Sequence, residues 1–253
     1  VLQNSRTIIL NEGSEEEKRQ EILRYFHTTF DLDERLYDHL SRDESFYLRA
    51  EPLRQPLIFY FGHTASFYIN KLNIARLIDQ RIDSGFESMF AIGVDEMSWD
   101  DLNEQNYDWP TVEEVRAYRL EVREFVSKVI LDLPLTIPIT WDSPFWVILM
   151  GIEHQRIHVE TSSVIVRRLP IEEVRPLPEW KVCPSYGQAP KNSLLTVAGD
   201  KVVLGKTKDH PLYGWDNEFG DHQFEVWDFQ ASKYLVSNGE FLEFVEANGY
   251  EKE

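Results

Sequence analysis

Through the first two-thirds of the chain, apolar positions recur every three or four residues, the pattern of helices that bury one face; beyond that they alternate, as strands do. The helical runs open on recognisable start signals. Ser14 and Glu17 have the spacing of a capping box, in which hydroxyl and carboxylate satisfy amides that the first turn leaves free. Ile22, Leu23, Phe26 and Phe30 then line one face. A short helix carrying Leu32, Leu36 and Leu40 is predicted next, and then an irregular connection, "SRDESFYLRAEPLRQP". A second long helix is predicted from about Pro56, at its first turn, to Gln80. It contains His63, and its roughly 25 residues suit a bundle that spans a whole domain.

The stretch "SGFESMFAIGVDEMSWDDLNEQNYDWP" breaks the period with Gly, Asp and Asn and reads as a functional or crossover loop. Thr111 and Glu114 form another capping-box pair, ahead of a third helix through Val115, Tyr118, Val122, Phe125 and Val129 that stops before "LPLTIPIT". Ser143 and Pro144 supply an N-cap and a first helical residue for a fourth helix, "FWVILMGIEHQRIHVETSSVIVRRL", which runs to Pro170. The prolines of "LPIEEVRPLPEWKVCPSYGQAP" exclude regular helix and mark a linker.

After the linker, "LLTVAGDKVVLG" and "HQFEVWDFQ" read as half-buried strands separated by "GWDNEFGD". Ser237 and Glu240 make a further capping box before Phe241, Leu242, Phe244 and Val245, with Gly249 as the C-terminal cap. The fold class is α+β: a four-helix bundle over 1–175, a linker over 176–190, and a mixed domain over 191–253. So few strands are marginal for an independent core, and the second domain is expected to be truncated.

Charge narrows the partners. Lys and Arg total 26 against 44 Asp and Glu, a net charge of −18, which repels nucleic-acid phosphates and anionic headgroups. The single Cys183 cannot form an internal disulfide and reads as a small apolar residue. "VLQNSRTIIL" lacks a basic segment followed by an apolar run, and "FWVILMGI" is too short to span a bilayer, so a cytoplasmic protein without a membrane segment is expected.

The candidate chemistry lies in three histidines. His154 and His158 are four apart on one helix, so both imidazoles lie on one face, one turn from each other. They interrupt a strongly apolar helix, where imidazoles need hydrogen-bond partners or a metal. His63, on a second long helix, is the third candidate ligand, although a lone core histidine is more often a satisfied structural one. Three neutral imidazoles leave positions open on a six-coordinate metal, but do not distinguish iron from zinc, nickel or copper. Gln155 stands where an H-E-x-x-H zinc protease carries its general base, which discounts hydrolysis by that route. Glu153 and Glu160 are open as ligands, as acceptors for an imidazole N–H, or as solvated groups. His27, His39, His210 and His222 show no ligand spacing. Phe59, Tyr60, Phe67 and Asn70 lie near His63 as core or pocket, and Tyr60 and Asn70 are candidate substrate contacts.

The segments "PLIFYFGHTASFYINKL", "ITWDSPFWVILMGIEHQRIHVETSSVIVRRLP" and "YGWDNEFGDHQFEVWDFQASKYLVSNGEFLEFVEANGY" resemble the 5-histidylcysteine sulfoxide synthases, and the likeness covers nearly the whole chain. In that family a DinB-like bundle precedes a domain similar to the formylglycine-generating enzyme and sulfatase-modifying factors. The resemblance implies that His63, His154 and His158 hold iron(II). It also implies that L-cysteine, L-histidine and dioxygen are joined as 5-histidylcysteine sulfoxide, the first step of ovothiol biosynthesis. Family members continue beyond this length, so iron binding with little turnover is expected of the chain itself. Three alternatives stand beside this: an ergothioneine-type sulfoxide synthase acting on trimethylhistidine, a DinB-like metal-dependent thiol transferase, and a metal-free interaction protein.

Overall fold

Helix α1 (Glu15–Tyr37) opens on the expected capping box: the Ser14 hydroxyl accepts from the Glu17 amide at 3.3 Å, and the Glu17 carboxylate accepts from the Ser14 amide at 3.1 Å. In the computed structural model, which describes residues 7–92, 108–180 and 187–252, this helix continues without a break through the segment read as a separate short helix. No helix breaker lies between Phe30 and Leu36, and Asp33, Leu36 and Tyr37 extend the buried stripe of Ile22, Phe26 and Phe30. Leu40 lies past the helix and pairs with Val174 in an isolated bridge. A 3-10 turn, Asp43–Tyr47, interrupts the connection that follows.

Helix α2 (Leu57–Ile74) is shorter than predicted. It ends in a Schellman motif, with Arg76 N–H donating to Asn73 and Leu77 N–H to Leu72 while Arg76 adopts φ 57°. That motif usually carries Gly at the left-handed position, and the arginine here hides the stop. Every residue from Leu57 to Asn70 is buried. The stretch read as a loop begins with a short helix, α3 (Ser84–Met89), capped by Asp83, whose carboxylate accepts from the amides of Gly85 at 2.8 Å and Phe86 at 3.0 Å. Residues 93–107 of that stretch lie outside the described residues.

Helix α4 (Val112–Asp132) starts from the predicted Thr111–Glu114 capping box. Its stripe runs through Val115, Tyr118, Val122, Val126 and Ile130; Phe125 and Val129, read from the sequence as core, are only half-buried. Helix α5 (Pro144–Val166) has Pro144 in its first turn, as expected, although the Ser143 hydroxyl accepts from the Thr140 amide rather than capping the helix. α1 packs on α4 and α5, and α2 packs on the same two, so α1 and α2 lie diagonally opposed in a four-helix bundle. Phe26, Phe30, Phe59, Phe61, Phe145 and Ile152 are fully buried in its core. No helix among the described residues is long and apolar enough to cross a membrane.

The chain divides into two compact units. The first comprises 1–180 together with the short return Asp209–Trp215, and the second comprises the remaining residues. In the second unit each predicted strand is split. β1 (Leu194–Val197) pairs antiparallel with β4 (Phe229–Ser232), and β2 (Asp200–Leu204) with β3 (His222–Val226). The breaks face each other: a Cβ on Gly199 would stand 2.3 Å from the Val226 carbonyl oxygen, and the Gly199 amide donates to the Asp228 carboxylate at 2.7 Å. The strands, read as half-buried, are largely exposed. Helix α6 (Asn238–Glu246) has the Ser237–Glu240 capping box, but Asn248, at φ 55°, takes the left-handed position expected of Gly249. Gly249 is needed one residue later, where a Cβ would meet the Phe244 ring at 2.2 Å.

Candidate metal centre

The two helices that carry the candidate ligands, α2 and α5, pack directly on each other. His63 Nε2 lies 3.2 Å from His154 Nε2, which in turn lies 3.0 Å from His158 Nε2. One nitrogen from each ring falls within 4.8 Å of the others, and among the described residues no carboxylate joins them. His63 is fully buried and His158 nearly so, while His154 is half-buried. Phe67 stacks on His154 with centroids 3.6 Å apart, Phe59 stacks on His63 at 5.3 Å, and Tyr60 tilts over His158 at 5.7 Å. One aromatic ring thus lies against each imidazole.

Burial disfavours the charged form of the two α5 imidazoles. It pushes His154 well below the ordinary imidazole range, helped by the neighbouring His158 and His63, and pushes His158 down to about 3. His63 donates its Nδ1–H to the Phe90 carbonyl oxygen at 2.6 Å, which fixes the tautomer and leaves a bare lone pair on Nε2. Gly62 permits this contact, because a Cβ there would sit 2.3 Å from the Phe90 ring.

The residues fit a metal better than they fit one another. If His154 Nε2 is bare, it faces the lone pair of His63; if it carries the proton, its single N–H must serve two neighbours. A divalent cation at the point of convergence satisfies all three nitrogens. Two nitrogens each about 2.1 Å from one ion stand about 3.0–3.4 Å apart, in keeping with the two contacts observed. The outward Nδ1 atoms of His154 and His158 are buried without a hydrogen-bond partner among the described residues, so hydrogen bonding among these does not account for the rings. Three imidazoles leave coordination positions open for small molecules.

The other candidates are placed differently. Tyr60 lies beside the cluster, whereas Asn70 ties α2 to the α3 region, donating to the Glu87 carbonyl at 2.8 Å and accepting from Arg81 at 2.6 Å. Glu153 accepts from the Tyr25 hydroxyl at 2.9 Å, and Glu160 is exposed. His27 accepts from Arg123, and His39 contacts the Arg175 carbonyl oxygen, both away from the cluster. Sequence reasoning missed Phe90, Asp33, Thr64 and Arg119; the polar Thr64 and Gln155, each next to a ligand on an apolar helix, were the available signal. Cys183 lies outside the described residues.

A four-helix bundle with histidines converging from two packed helices defines a class of metal-dependent helical proteins. The model of the DinB superfamily matches residues 25–162, more than half of the chain and all three histidines, and the chain belongs to that superfamily. It is similar to ergothioneine biosynthesis protein 1 of Neurospora crassa, 25% identical over 211 residues, covering 76% of this chain and 24% of the relative. Its likeness to the Schizosaccharomyces pombe protein of the same name is 24% over 241 residues, covering 81% of this chain and 30% of the relative. The chain therefore spans less than a third of the length of these curated relatives.

Proposed function

We propose that this chain carries the metal-binding bundle of a non-haem iron(II), oxygen-dependent sulfoxide synthase of the ergothioneine type, joining the sulfur of cysteine or γ-glutamylcysteine to the imidazole ring of trimethylhistidine. The observation that carries the reading is the convergence of three imidazole nitrogens from α2 and α5. Both relatives bear the ergothioneine name, and this favours trimethylhistidine over the histidine that the sequence resemblance implied. The second unit, by the likeness of "DNEFGDHQFEVWDFQ", is taken as part of a sulfatase-modifying-factor-like domain.

Iron(II) bound by His63, His154 and His158 would supply the electron chemistry with dioxygen that side chains lack. The residues of this chain would do the rest: the imidazoles would hold the ion, the Phe90 carbonyl keeps the His63 lone pair inward, and Phe59, Phe67 and Tyr60 pack an aromatic ring against each imidazole. A second reading, cysteine with L-histidine, is favoured by the segments around His63 and His154.

Metal analysis of the purified chain is expected to find one first-row metal ion, and His158→Ala to lose it, since one donor of three and the chelate geometry go together. Stoichiometric metal retained in H158A would end the reading. Aerobic incubation with each thiol and imidazole pair, read by mass spectrometry in the longest natural form of the protein, separates the substrates. A sulfoxide adduct of trimethylhistidine is expected; a histidine adduct would support the second reading, and thiol conjugation that proceeds without oxygen would point to a transferase.

A further inference from the structure

Next to the histidine cluster lies a second polar group, sealed in the bundle core, that ligand binding does not use. Asp33 of α1 is fully buried, and one of its oxygens, Oδ2, accepts a hydrogen bond from each of the other three bundle helices. Thr64 of α2 donates at 2.8 Å, Gln155 of α5 at 2.9 Å and Arg119 of α4 at 3.0 Å. Arg119, also fully buried, donates in addition to the Thr64 hydroxyl at 2.8 Å and to the Phe61 carbonyl oxygen. The Tyr68 hydroxyl completes the set, donating to the Gln155 side-chain oxygen at 2.9 Å.

Two members of this network are the immediate chain neighbours of ligands: Thr64 follows His63, and Gln155 follows His154. Any rotation or sliding of α2 against α5 that separates His63 Nε2 from His154 Nε2 must also move Thr64 or Gln155 off the shared oxygen of Asp33. Apolar packing tolerates such shifts, since cores lose uniqueness before they lose stability. Hydrogen bonds to a single atom are directional and do not.

We propose that Asp33 is a positioning residue for the three-histidine centre, acting through Thr64 and Gln155 to fix the register of the two ligand-bearing helices. The inference rests on the metal reading of the site. It differs from a purely stabilising role, because a buried ion pair is often replaced by apolar residues of similar volume without loss of stability.

That difference supplies the test. In the full chain, D33L/R119M replaces the buried pair with apolar side chains, T64V removes one hydroxyl at constant shape, and T64S keeps it. Cobalt(II) affinity, measured by competition with a chelator, and the visible cobalt spectrum report ligand number and geometry, while circular dichroism and thermal melting report folding. Folded T64V and D33L/R119M are expected to bind cobalt about 10–100-fold more weakly with an altered spectrum, and T64S to match the wild type. Should D33L/R119M fail to fold, T64V against T64S carries the test. Wild-type affinity and spectrum in folded T64V, or T64S as weak as T64V, would overturn the positioning role. A wild-type chain that binds no cobalt would remove the metal reading itself, and this inference with it.

Discussion

Gly62→Ala adds one methyl group at the residue before His63, and its effect can be worked out from the contact with Phe90. The new Cβ would lie 2.3–2.5 Å from three atoms of the Phe90 ring. Ordinary carbon contacts are about 3.5–4.0 Å, so the ring or the helix must move by about 1 Å. Phe90 has little room to do so: it is fully buried among Phe86, Phe59 and Trp109, with ring centroids 5.5, 6.3 and 6.4 Å away. Overpacking of this kind costs about 1–3 kcal/mol, partly offset by about 0.5–1 kcal/mol from replacing Gly with Ala inside a helix. A net loss of up to about 2.5 kcal/mol in denaturant unfolding of the metal-free chain is expected.

The same displacement draws the Phe90 carbonyl away from His63 Nδ1, so metal affinity should fall about 10-fold or more. Truncating the ring in G62A/F90A relieves the clash, and the double variant should be less destabilised than the sum of its single variants. If G62A is as stable as the wild type, binds metal equally well and adds independently to F90A, the close approach has no structural role.

Arg76→Gly should stabilise the chain by about 0.5–1 kcal/mol in equilibrium unfolding, because it relieves a left-handed residue at the exposed end of α2. Glu17 and Glu114 are held below the usual carboxylate range by hydrogen bonds from Ser14 and Thr111. A depressed folded-state pKa contributes stability above the unfolded value that is lost as pH falls through the folded one. The drop in melting temperature on acidification should therefore be shallower in S14A/T111A than in the wild type, as a melting series across the carboxylate range would show. Removal of bound metal by a chelator should lower the melting temperature of the wild type but leave that of H158A unchanged, as calorimetry would show.

The three capping boxes were legible because each is a local pattern of two side chains three residues apart, and the histidine pair was legible for the same reason. Partnership of His63 with that pair required only that two long apolar helices pack together. Features set by backbone geometry were not legible. Arg76 ends α2 through main-chain bonds where a glycine would have announced the stop, and the strands break at Gly199 and at Trp227–Asp228 because those sites face each other across the ladder. Nor could periodicity join Asp33 to Arg119, which pair across 86 positions of chain.

The uninterrupted burial of α2 from Leu57 to Asn70 has its own consequence for how this protein tolerates change. A helix with one wet side forgives substitutions in a repeating rhythm, every third or fourth position being hard and the rest soft, as α1 and α4 should be. Around α2 there is no soft side, and drift in this segment is confined to exchanges of like volume, however far the residue lies from the histidines.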